Sequence, residues 1–60
     1  MPGTMLVSLT QEGVTRELWR FGPPAEQPGP TRYEVHVYLP AGKASVVRFN
    51  EPDEAYRMME

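Results

Sequence analysis

The one acid–imidazole pair that lies close in the chain is Glu34 and His36, two positions apart in Arg-Tyr-Glu-Val-His-Val-Tyr. In an extended segment both side chains share a face, roughly 7 Å apart, so a proton passes between them only through a water or after a rotation. Around that pair the usual company of catalysis is missing. No serine sits in a Gly-x-Ser-x-Gly elbow, and no glycine-rich phosphate loop is present. A chain of 60 residues also has little room to frame a substrate pocket. The expectation is a protein that is not an enzyme and carries no cofactor.

Metal chemistry fares no better. With no cysteine and a single histidine, the chain lacks disulfides, thiolate sites and the ligands for a zinc site of its own. Glu51, Asp53, Glu54 and Glu60 make an acidic end, but without the alternation of a calcium loop. Acids at a helix start already have the helix dipole to explain them. What remains is a set of arginines, Arg16, Arg20, Arg32 and Arg48, with His36 and Tyr38. Whether they act together depends on the elements that carry them.

Residues 32–39 alternate apolar and polar, the period of a strand with one buried side. Pro40-Ala41-Gly42 is a tight turn, and residues 43–49 form the return strand. A two-residue loop would pair Val35 with Arg48 and Glu34 with Phe49, mixing the faces. A three-residue loop pairs Tyr33 with Phe49, Val35 with Val47 and Glu34 with Arg48, so like meets like and opposite charges face each other. It also puts Gly42 last, where a left-handed residue is wanted. One face then carries Tyr33, Val35, Val37, Val47 and Phe49; the other carries Arg32, Glu34, His36, Tyr38, Val46 and Arg48.

An earlier hairpin is expected from residues 4–10 and 14–21 around Gln11-Glu12-Gly13. With the same three-residue loop, Met5 faces Trp19 and Leu6 faces Leu18. That gathers Met5, Val7, Leu9, Trp19 and Phe21 on one face, with Trp19 as a core anchor and Glu17 as a misfit. A two-residue turn at Glu12 and Gly13 pairs Val7 with Leu18 and Leu6 with Trp19 instead; the three-residue register is carried forward.

Between the hairpins, residues 22–30 hold four prolines and two glycines in nine positions, which excludes helix and central strand. This is a surface linker, read as mobile, reaching up to about 30 Å, so the hairpins need not be neighbours in the sheet. After Phe49, Asn50 is the expected N-cap of a short helix with Pro52 and Asp53 in its first turn. Ala55, Met58 and Met59 form its apolar stripe, flanked by Tyr56. So short a helix must dock, and the face of Tyr33, Val35, Val47 and Phe49 leads into it. Residues 1–3 are expected to fray.

The architecture expected is α+β, one domain over residues 1–60: a four-stranded antiparallel sheet of two β-hairpins, a Pro/Gly-rich loop at residues 22–31, and one short C-terminal helix packed on one face, in the order ββββα. One sheet face is left over. On the registers above it presents Arg16, Leu18, Arg20, Arg32, His36, Tyr38, Val46 and Arg48, together with Leu6, Ser8 and Glu34. Mixed arginine, tyrosine and aliphatic surfaces of this kind suit protein contacts. The plainer alternative is a solvated face with arginine stems lying over Leu6, Leu18 and Val46.

Size favours a partner. A chain of 60 residues buries only about 60% of its unfolded surface and has no disulfide or metal to add stability. The function expected is a small cytoplasmic interaction module that self-associates, as a homodimer, or docks a protein partner through the open face or an edge strand. A nucleic-acid binder using the Arg/aromatic face is the alternative, disfavoured by a net charge of −2. The longest apolar run, residues 5–7, is far too short for a membrane span, and the start of the chain lacks the pattern of a signal peptide.

Overall fold

The computed structural model describes residues 3–24 and 26–60. Four strands, β1 (Thr4–Gln11), β2 (Val14–Phe21), β3 (Arg32–Tyr38) and β4 (Ala44–Phe49), are followed by the helix α1 (Pro52–Met58). They form one antiparallel sheet in the order β1-β2-β3-β4. The fold is the ββββα arrangement expected, and the linker joins two adjacent strands. Of the residues expected to fray, Met1 and Pro2 lie outside the described set. Gly3 packs so closely on the Phe21 ring that a β-carbon there would collide with it.

The second hairpin follows its side-chain chemistry throughout. Tyr33 pairs with Phe49, Glu34 with Arg48 and Val35 with Val47. Leu39 N–H donates to the Lys43 carbonyl and Gly42 N–H to the Leu39 carbonyl, each at 2.9 Å, which closes the three-residue loop. Gly42 has φ of 89°, a conformation that costs an L-residue roughly 1 kcal/mol or more.

The first hairpin corrects the expected register. Its turn has two residues, Glu12 (φ 53°) and Gly13 (φ 80°), the signature of a type I′ turn, which matches the right-handed strand twist better than a type I turn. Gln11 therefore pairs with Val14, and Val7 with Leu18. Between Met5 and Val7 the register shifts, so Leu6 is an extra, bulged residue and Met5 still meets Trp19. Because the side-chain period is two, this change sends Val7 and Leu9 to the same side as Leu18 and leaves Trp19 on the other.

β2 and β3 pair Leu18 with Val35, Trp19 with Glu34 and Glu17 with His36. Leu18 and Val35 are thus side by side beneath the helix, and both are 0% exposed. Ala55 and Met59 complete the core, with Val7, Tyr33, Val37, Phe49 and Met58 packed around it. Burying two such aliphatic chains contributes about 1.5–3 kcal/mol each, a large share of what so small a core can supply. The helix rests on β3 and β4, on the face anticipated for it. Its N-cap is Glu51 rather than Asn50, and no side chain caps it. Pro52 at the first turn needs no N–H partner, and Asp53 and Glu54 meet the dipole there, which leaves little for an asparagine cap to do.

The linker is fastened at one end. Arg20 donates through a guanidinium N–H to the Pro23 carbonyl at 2.9 Å, and Gln27 N–H donates to the Pro24 carbonyl at 2.9 Å.

Candidate interaction face

Opposite the helix, alternation along the ladders places Glu17, Trp19 and Phe21 of β2 beside Arg32, Glu34, His36 and Tyr38 of β3, with Val46 and Arg48 of β4 at the margin. Among the described residues, no helix or loop covers this layer. The sequence reading placed Arg32, His36, Tyr38, Val46 and Arg48 here, and here the structure brings them together. Arg16, Leu18 and Arg20 are not among them. Leu18 is a core residue, and Arg16 and Arg20 pair with Val37 and Tyr33 on the helix side. The inversion follows from the two-residue turn, and the two arginines fit on that side because they flank the helix footprint, where a long stem can lie over Leu18 and its head reach solvent or Pro23.

The residues missed are Glu17, Trp19 and Phe21. A signal for them does exist. Glu17 stands two positions before Trp19, so on a strand it can accept the indole N–H that a deeply buried tryptophan would leave without a partner. In the structure Trp19 Nε1–H donates to Glu17 Oε1 at 3.1 Å.

Glu34 is the electrostatic centre. Only 8% exposed, it is the one buried charged residue among those described. Oε1 lies 3.0 Å from His36 Nε2, while Oε2 lies 3.6 Å from Arg32 Nε and 3.5 Å from Arg48 Nε. The direct contact with His36 corrects the expected gap, since the two side chains lean together along the strand. A buried carboxylate is tolerated because His36 hydrogen-bonds one oxygen and two arginines lie within ion-pair distance of the other. The arginines approach Glu34 through Nε and remain 61% and 73% exposed along their side chains, so much of each is open to solvent.

Around this charge runs a row of rings. Phe21 and Trp19 stack with centroids 6.4 Å apart, Trp19 and His36 are 5.9 Å apart, and His36 and Tyr38 are 6.5 Å apart. Arg32 caps one end, its guanidinium carbon 5.5 Å from the Phe21 centroid. At the other end Tyr38 is held above the usual tyrosine pKa, first by loss of solvent and then by the Glu17 carboxylate. Beside Phe21 and Arg32 an open recess of about 250 Å³ is closed off by Gly22 and Pro30 of the linker. Among the described residues no group of three or more His, Asp or Glu is placed to hold a metal, and no helix is long and apolar enough to cross a membrane.

The arrangement offers flat aromatic area, exposed arginine side chains and a carboxylate, Glu17, whose own chain provides no cation within ion-pair reach among the described residues. No family model matches the chain, and no curated protein or solved structure matches it significantly.

Proposed function

We propose that this chain is a small non-enzymatic interaction module that docks a protein surface on the open face of its sheet. One observation carries the reading: a row of half-buried Phe21, Trp19 and His36 ending in exposed Tyr38, bracketed by exposed Arg32 and Arg48. Tryptophan, tyrosine and arginine are the side chains that dominate protein contacts, because they bring large area at low entropy cost. The His36–Glu34 pair is read as part of this scaffold, since one Glu34 oxygen is engaged by His36 and the other is paired with Arg32 and Arg48.

A second reading has its own support in the near-continuous ring floor, which resembles the stacking platform of single-strand nucleic-acid binders. Charge speaks against it. Arg32 and Arg48 are balanced on the same face by Glu17 and Glu34, leaving little field to draw phosphate.

The test is selection of binding peptides from a displayed library against the wild type, followed by their titration onto a Tyr38→Ala/Arg48→Ala variant. Peptides that lose about tenfold or more in affinity to the variant support the reading. A salt-dependent complex with single-stranded oligonucleotides, lost in the same variant, would replace it with the second.

A further inference from the structure

The charges on the open face are not evenly spread. Glu34 sits among two arginines and a histidine, so that side of the face, toward β4, has a cation to spare. Glu17, on β2, accepts from the Trp19 indole N–H and lies beside the Tyr38 phenol, with no cation within ion-pair reach among the described residues. The surplus and the deficit are about equal, and they lie on strands either side of β3. Resting on the proposal that this face binds protein, we infer that its partner is a second copy of the chain, turned face to face so that Arg48 of each copy reaches Glu17 and Trp19 of the other.

Symmetry allows this. A two-fold axis along β3 lays β2 of one copy over β4 of its partner, with strands aligned as in a packed pair of sheets. Glu17 pairs across the ladders with His36, which pairs with Val46, so Glu17 faces the partner's Val46 position. Arg48 lies two residues further along β4, about 7 Å away, which is within the length of an arginine side chain. The side chain then ends over the Trp19 ring or at the Glu17 carboxylate, and either contact is favourable. Each surplus guanidinium meets a carboxylate that lacks one.

Area points the same way. The chain exposes 4473 Å², where a compact protein of 6.8 kDa exposes about 3,950 Å². Its radius of gyration is 12.2 Å, against about 10.4 Å for a compact chain of this length. Under this axis the overlap is three strands wide, about 14 by 23 Å, so two copies bury roughly 650 Å², the size of a weak, concentration-dependent contact.

A charge exchange between copies tests this. Glu17→Arg, Arg48→Glu and an equimolar mixture of the two are compared with wild type by sedimentation equilibrium, folding being checked by circular dichroism. Each variant alone sets like charges together twice per pair and should self-associate about tenfold or more weakly than wild type. The mixture restores opposite charges at both contacts and should recover the mass of two copies. Acrylamide quenching of Trp19 in unsubstituted protein, followed against concentration, gives a readout that needs no variant: protection should rise with self-association. A wild type that stays a single copy into the hundreds of micromolar overturns the inference, while the proposed function survives if that single copy still binds displayed peptides. Association that ignores both charge changes and leaves Trp19 equally quenched also overturns it, placing the contact elsewhere, with the free edge of β1 first in line.

Discussion

Hairpin β3–β4 turns through three residues and keeps a regular ladder over its whole length, whereas β1–β2 turns through two and recovers its register with a bulge at Leu6. The helix rests on the first of these and meets the second chiefly at Leu18. β1 reaches the core through the partly buried Val7, with Met5, Leu6 and Leu9 each at least 40% exposed. The contrast shows how a minimal sheet divides its labour. One hairpin supplies most of the core; the other joins it through the buried Leu18 with Val7 beside it below the sheet, and through an indole above. Turn length decides which residues those are.

The sharpest way to break this picture is Leu18→Ala. The side chain is fully buried against Val35, and its loss should cost about 2–5 kcal/mol, comparable to the whole stability of a domain this size. Urea unfolding followed by circular dichroism should show most of the protein unfolded without denaturant. Met5→Ala, on the same hairpin but 48% exposed, should shift the curve by less than about 1 kcal/mol. If the two cost the same, Leu18 is not the junction.

That junction was only half legible in the sequence. The β3–β4 register could be read because only one pairing matches apolar with apolar and Glu34 with Arg48, so chemistry and turn length agree. In β2 both alternating sets look suitable for a core: Glu17, Trp19 and Phe21 on one side, Arg16, Leu18 and Arg20 on the other. Two aromatics bring more apolar area to bury than one leucine, which favours the wrong set. What decides instead is the Glu12-Gly13 turn, together with a helix narrow enough that Leu18 and Val35 fill the space beneath it. The width of that space is a tertiary property, set by α1, and local patterns in β2 do not contain it.

Glycine substitutions sharpen the comparison at the turns. Gly42→Ala meets nothing within 4 Å, so its cost is backbone strain alone, about 1–2 kcal/mol. Gly13→Ala carries the same strain and also brings a methyl group to 3.0 Å from Pro40 Cγ, on the neighbouring turn. It should cost up to about 1 kcal/mol more, unless Pro40 yields, and the excess should shrink in a Pro40→Ala background. An equal cost for the two glycines would mean that the turns do not touch in solution. Glu12→Asn works in the opposite direction. Its φ of 53° is one that asparagine tolerates better than glutamate, and the change should raise stability by about 0.5–1 kcal/mol.

The smallest expected effect lies at the seam between the hairpins and depends on pH. Tyr38 pairs with Thr15 across that seam, and its phenol is raised above the ordinary value of 10.0, by loss of solvent and then by Glu17. The folded chain therefore holds this proton more tightly than the unfolded one. The resulting stability is fully present below the unfolded pKa and is lost as pH rises through the folded one. In Tyr38→Phe the titration is absent, so the stability difference between wild type and variant should be flat from about pH 8 to pH 9 and decline above about pH 10. Urea midpoints across that range would show it. Glu17→Gln separates the two causes: removing the carboxylate should lower the Tyr38 pKa but leave it above the ordinary value, because loss of solvent remains. A fall back to the ordinary value would instead make the contact between hairpins, and not burial, the source of the shift.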